Sequence, residues 1–416
     1  MRRPHHIPGA GLATAATALW TACGALAQAP LPYPEYLSED PYQARTEALL
    51  EGEDEALARV KRQERLTWGF ADGSTLNLYG WLNYGILFFD DGRETNTYGP
   101  IDNANSPSRI GLAYTRPAET WTFGARVEVQ NLFYSTAFVN QVDSSPDFDF
   151  RRRDIRWIEV SASAPTVGRI SLGQGSMATD GVTNLDLSGT TVVGYSSVGD
   201  AASGQFLRFR DRDLPIEDGP QVGQVFRGFN GPRRVRLRYT SRDFSGFTAS
   251  VAYGRDLLSN RSDVREEDLF DVSLFYAGDH GDVQFGAAAG YFWDAFDRET
   301  LSGAVSALHR PTGLNLTFAA AGSDVGDRTE AYWYTKLGLL SDVFAFGTTA
   351  ASIDYYSGRD FRVRGSESTS YGFALVQNID DARTELWLTL RRYQYEDDTA
   401  DFRDALAVYG GFRWRF

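Results

Sequence analysis

The chain of 416 residues has one cysteine, Cys23, and four histidines, at positions 5, 6, 280 and 309. A disulfide framework and a cysteine-ligated metal site are therefore excluded. Lysine is nearly missing as well: Lys61 and Lys336 stand against 39 arginines. Acidic residues outnumber basic ones by 55 to 41, a formal charge of −14. That balance excludes a general nucleic-acid binder, because phosphate binding needs a basic face. Beyond the first 27 residues no run of 18 apolar residues occurs, which excludes a helical membrane span. What is abundant is aromatic side chain, 14%, and glycine, 41 residues. That mixture points to β structure, in water or in a membrane.

Residues 1–6 (MRRPHH) carry positive charge, and a small, mildly apolar run follows to Cys23. Ala25-Leu26-Ala27 then supplies an A-x-A site. The expectation is a secretory signal peptide over 1–27, removed from the mature chain. Residues 28–41 are rich in proline and read as extended. Residues 43–66 hold Ala, Leu, Glu and Arg without proline, and Leu50, Leu57 and Val60 fall at helical spacing. The region 28–70 is therefore expected to hold a short periplasmic helix, with a coiled coil as one option.

From Thr75 the period changes. About sixteen strand-like segments follow, at 75–89, 107–116, 120–134, 152–163, 168–174, 233–241, 246–255, 268–278, 282–294, 299–309, 312–322, 329–340, 343–357, 367–378, 382–396 and 402–416. Alternation is plain in many. Val235, Leu237 and Tyr239 share one face, and Arg234, Arg236 and Arg238 share the other. Leu406, Val408, Phe412, Trp414 and Phe416 oppose Ala407, Tyr409, Gly411, Arg413 and Arg415. The segments at 152–163 and 343–357 do not divide cleanly.

A β-sandwich also alternates, so two further features decide. Connections alternate short and long through the first half of the set, as they do in outer-membrane barrels. Aromatics also gather at strand ends. Phe88, Phe89, Phe133, Tyr134, Tyr291, Phe292, Trp293, Tyr355 and Tyr356 lie at the long-loop ends, and Tyr114, Trp121, Phe247, Phe344, Trp414 and Phe416 at the short-turn ends. Two such girdles suit the two membrane interfaces. A bilayer offers no water to a sheet edge, so a sheet there must close on itself. The expected fold is all-β: a transmembrane antiparallel β-barrel over 75–416, of about sixteen strands, enclosing an aqueous channel.

Four motifs make the chain resemble a Gram-negative outer-membrane porin. It ends in Tyr409-Gly-Gly-Phe-Arg-Trp-Arg-Phe416. Gly168-Arg-Ile-Ser-Leu-Gly-Gln174 is similar to the strand that enters the family's constriction loop. Arg234-Val-Arg-Leu-Arg-Tyr-Thr-Ser241, then Phe244-Ser-Gly-Phe247, is similar to the strand and turn that leave it. Ala252-Tyr-Gly254 matches the next strand end. The resemblance implies a sixteen-stranded barrel among outer-membrane lipids, usually a homotrimer, passing small hydrophilic solutes by passive diffusion without a cofactor. It also implies that the barrel-assembly machinery reads the terminal Phe412, Trp414 and Phe416. The connection 175–232 is long for the family. It could hide two extra strands, near 190–195 and 205–209, giving an eighteen-stranded, substrate-selective channel.

In the family the third long loop folds inward and sets acids against a basic wall. The loop here offers Asp180, Asp186, Asp200, Asp211, Asp213, Glu217 and Asp218. The wall offers Arg126, Arg169, Arg234, Arg236 and Arg238, with Arg109 if Ile110 and Leu112 face lipid. Arginine suits such a wall, because it stays charged and binds carboxylates with two donors. Opposed charges across a narrow neck would filter solutes by charge. Enzymatic readings have little to stand on, since His280 and His309 sit at turns with no nucleophile motif.

Overall fold

The computed structural model describes residues 66–416 apart from 132, 147, 258–267 and 295–297. The expected signal peptide and all but the last residues of the expected helical region 28–70 lie outside the described residues; within that region Thr67–Gly69 is a short strand. Among the described residues nineteen strands share one sheet, and three of them stand apart from the barrel wall: Thr67–Gly69, Thr95–Asp102 and Ala400–Asp401. The other sixteen form the wall. They are β1 (Thr75–Asp90), β2 (Arg109–Ala118), β3 (Trp121–Gln130), β4 (Ile155–Ala164), β5 (Gly168–Ser176), β6 (Arg233–Thr240), β7 (Phe247–Arg255) and β8 (Asp268–His280). The second half comprises β9 (Val283–Asp294), β10 (Glu299–His309), β11 (Leu314–Val325), β12 (Arg328–Phe344), β13 (Gly347–Arg359), β14 (Glu367–Ile379), β15 (Thr384–Asp397) and β16 (Ala405–Arg415). Each pairs antiparallel with the next. β16 returns to pair with β1 from Leu406↔Asp90 to Arg415↔Trp81, so no edge is left open.

The two extra strands of the eighteen-stranded alternative do not form. Residues 190–195 are turns, and 205–209 contribute only isolated bridges, Phe206↔Gln221 and Phe209↔Phe402. The whole stretch between β5 and β6 is instead an inward loop. One strand does arise where a plain loop was expected: Thr95–Asp102 folds back along the upper part of β1.

Strand period places the solvent boundary. Leu237, Ile353, Leu172, Val160, Leu316 and Phe412 are exposed on the outer surface, an apolar belt for lipid. Their neighbours one residue along turn inward. The aromatic girdles divide by the same rule. Phe88 and Trp293 face out, but Phe89, Phe292 and Tyr356 are buried inside the barrel. Adjacent residues on a strand cannot both face lipid.

Inside, the two halves differ. β2–β6 present charge and hydroxyl groups. β12–β16 present Tyr332, Tyr334, Ala350, Tyr356, Ala374, Val376, Tyr393, Ala407 and Tyr409, all buried in one apolar cluster. That cluster exists because the inward loop lies against it.

Candidate functional site

The charged half is built around two glutamates. Glu128 on β3 is fully buried and receives three guanidinium groups. Arg126 Nη2 lies 2.6 Å from Oε2, Arg156 Nε lies 2.6 Å from Oε1, and Arg109 Nη1 is 3.7 Å from Oε1. The Tyr79 hydroxyl also donates to Oε2 at 2.7 Å, and Arg126 Nε donates to that hydroxyl at 2.6 Å. A side chain at Gly111 would collide with the Tyr79 ring, so glycine there lets the tyrosine lie flat and reach the carboxylate. Glu159 on β4 receives two more groups, Arg236 at 2.6 Å and Arg169 at 3.3 Å.

Trp157 stands between these clusters. The Arg126 guanidinium is 4.3 Å from its ring centroid and that of Arg236 is 5.6 Å away, both within cation–π range. Glycine at 175 makes room for this ring too, because a Cβ there would sit 2.5 Å from Trp157 Cε3. Arg238 donates to the carbonyls of Met177 at 3.1 Å and Ser176 at 3.5 Å, holding the start of the inward loop. Arg234 approaches Asp256 at 3.9 Å. β2–β6 contain no acid besides Glu128 and Glu159. The wall is therefore strongly positive, and Arg126, Trp157, Glu159, Arg169, Arg236 and Arg238 border a water-accessible cavity.

The loop 177–232 is fixed to the opposite side. Its first turn is held by Asp271 of β8, which accepts the backbone N–H of Ala178 at 3.0 Å, that of Thr179 at 2.7 Å and the Thr179 hydroxyl at 2.7 Å. Further along, Lys336 of β12 is wholly buried beneath the loop. Its ammonium donates to Asp186 Oδ2 at 2.6 Å, Gly194 O at 2.6 Å, Thr190 Oγ1 at 3.1 Å and Ser188 Oγ at 3.2 Å. The Tyr393 hydroxyl donates to Val198 O and that of Tyr356 to Arg227 O, each at 2.8 Å. Val182, Leu185, Val192, Val193, Val198, Val222, Val225 and Phe226 fill the space between. The Phe226 and Tyr393 rings meet edge-on at 4.9 Å. Burial of apolar side chains at about 1.5–3 kcal/mol each makes this docking strong.

Of the residues anticipated for the wall, Arg109, Arg126, Arg169, Arg234, Arg236 and Arg238 all lie on β2–β6. The loop acids are dispersed. Asp180 accepts bonds from Ser176 and Asn230 and lies 3.6 Å from Arg233. Asp186 is paired with Lys336. Asp200 accepts the Tyr195 hydroxyl at 3.2 Å, and burial pushes its carboxyl up to about 7. Asp211 is 3.5 Å from Arg212 and Asp213 is 3.2 Å from Arg93, all four exposed, as are Glu217 and Asp218. Asp180 thus finds partners on β5, on β6 and within the loop, Asp186 on β12, Asp200 within the loop, and Asp211 and Asp213 at the outer surface. Sequence reasoning missed Glu128, Glu159, Arg156, Trp157 and Lys336. The signals were available: the only two acids in five strands, and the only lysine in the barrel.

A family model described as Gram-negative porin matches residues 13–398. No curated protein matches the chain in sequence. Among solved structures, an anion-selective porin from Comamonas acidovorans aligns with a TM-score of 0.54 at 18% identity, over 82% of this chain and 100% of its own. OmpT of Vibrio cholerae aligns with a TM-score of 0.52 at 12% identity, over 83% of this chain and 99% of its own.

Proposed function

The chain belongs to the Gram-negative porins, channels of the outer membrane, and from that premise we propose that its pore favours small anions. The observation that carries this reading is the imbalance on β2–β6, where two glutamates serve the arginines at 109, 126, 156, 169 and 236. A wall of net positive charge beside a low-dielectric loop concentrates counter-ions and repels co-ions. The chain's negative total does not oppose this, because charges on outer loops are screened within about 8–10 Å. The anion-selective neighbour in Comamonas acidovorans fits the same direction.

Solutes pass by diffusion along the arginine side of the lumen, with no covalent step and no catalytic residue. The functional unit is read as a homotrimer, the assembly implied by the resemblance. Phe412 and Trp414 face outward on β16 and Phe416 packs its ring near Gly80, an arrangement suited to recognition by the assembly machinery.

The test is the reversal potential of single channels in a planar bilayer under a salt gradient. An anion-directed potential is expected, and the double variant R126Q/R169Q should move it toward zero. Each glutamate keeps at least one arginine in that variant, so the wall should still fold. A cation-directed potential in the unaltered protein would sink the reading.

A further inference from the structure

The lumen holds a second charged cavity, at the opposite end from the short turns. It has a volume of about 460 Å³ and is lined by Gly223, Gln224, Arg227, Arg328, Glu330 and Arg362. Arg328 and Glu330 begin β12, Arg227 comes from the tail of the inward loop, and Arg362 belongs to the connection between β13 and β14. Glu330 shares its strand face with the buried Tyr332, Tyr334 and Lys336, whereas Trp333 on the other face is exposed to lipid. The cavity therefore opens to the water of the outer mouth.

Its charges do not cancel. Glu330 has both oxygens engaged, Oε2 by Arg227 Nη1 at 2.6 Å and Oε1 by Arg328 Nη2 at 2.9 Å. Arg328 Nε is also occupied, donating to Asp360 O at 2.9 Å. Arg362 is the third cation. It makes no hydrogen bond or ion pair with any described residue. One carboxylate thus faces three guanidinium groups.

The backbone adds an independent observation. Arg362 has φ +64°, in the left-handed region that a non-glycine residue occupies only when its surroundings hold it there. Those surroundings are visible. Phe361 is fully buried with its ring 5.9 Å from that of Phe229, and Gly365 N–H donates to Asp360 Oδ1 at 2.8 Å. A left-handed position therefore keeps, at the rim of a positive cavity, a cation that pairs with no acid among the described residues.

We propose that this cavity is a capture site for small oxyanions, carboxylates or phosphates, held by Arg362 together with the exposed edge of Arg227. Guanidinium groups bind such oxygens in pairs of parallel bonds, which makes the site selective for oxyanions over halide. It lies apart from the arginine wall, and its role is to load the channel from outside.

The experiment is single-channel chloride current with inorganic phosphate or glutarate added to each side in turn. Both probes should reduce the current in a concentration-dependent way from the long-loop side. R362G suits the left-handed backbone and removes the cation, and R362N serves as a second variant, since asparagine also tolerates that conformation. Either should raise the half-effect concentration about tenfold, the scale of one charge-assisted bond. Loss for one probe alone supports the site and fixes its chemistry. Unchanged half-effect concentrations for both probes in both variants would overturn it. The reversal potential reports the β2–β6 wall separately, so a failure there does not mimic a failure here.

Discussion

Replacing Lys336 with methionine isolates the buried contact that holds the inward loop. The substitution keeps length and apolar volume but removes a cation whose four acceptors all belong to residues 186–194. Asp186 would then stay buried, its side chain 1% exposed, without its partner. Leaving one charge of a buried pair alone is destabilising by about 3–5 kcal/mol. Val182, Leu185, Val192, Val193 and Val198 oppose release with about 1.5–3 kcal/mol each. The apolar total is larger, so the loop should stay docked on average while residues 186–194 make frequent excursions. The expected record is a noisier open channel of modestly higher mean conductance, with faster proteolysis inside the loop. The barrel should stay heat-modifiable on gels, because its wall is closed by backbone pairing. Adding D186L removes the stranded charge, and the double variant should return toward the quiet state, since apolar replacement of a whole buried pair is often neutral. A quiet channel with ordinary proteolysis in K336M alone would refute the reasoning and assign the docking to apolar packing.

Two further predictions follow from the same contacts. E128Q leaves the guanidinium groups of Arg109, Arg126 and Arg156 without their shared anion and should lower barrel stability by about 3–5 kcal/mol, read as an earlier denaturant midpoint in detergent. An unchanged midpoint would mean those arginines are neutralised elsewhere. Burial raises the Asp200 carboxyl to about 7, so the docked loop keeps a proton that a free loop releases above about pH 4. Docking should therefore weaken as pH rises from about 4 to about 7 and level off above that. Channel noise across that range checks the sign, and D200N should flatten the response.

Sixteen strands were legible because a lipid-facing belt imposes period two on every wall segment. Two segments resisted assignment, and the structure shows why. β4 pairs with β3 through a register shift between Glu128 and Val129, so Arg156 and Trp157 both end up buried. β13 turns Ala350 and Tyr356 inward beside Ser352 and Asp354, while Thr349 and Ser357 share the outer face with Ala351, Ile353 and Tyr355, so both faces are mixed and neither reads cleanly. The arginine ladder at 234, 236 and 238 was visible for the opposite reason: it alternates with Val235, Leu237 and Tyr239. The partners of the loop acids could not be read from the chain. Lys336 lies 150 residues from Asp186, and such a pairing depends on closure of the whole barrel.

The apolar packing behind the loop also bears on the chain before it folds. An ordinary barrel strand is greasy on one side only. Several strands near the C-terminus carry apolar side chains on both: β13 has Ile353 outward and Tyr356 inward, β14 Phe373 and Leu375 outward with Ala374 and Val376 inward, and β15 Leu386 and Leu390 outward with Trp387 and Tyr393 inward, although buried polar residues interrupt each inward face. While the chain crosses the periplasm unfolded, these segments have neither lipid nor loop to cover them. Exposed stretches with high β-propensity on both faces are prone to self-association. This region is therefore where periplasmic chaperones should bind most tightly, and where export rather than conduction should limit how much channel a cell can install.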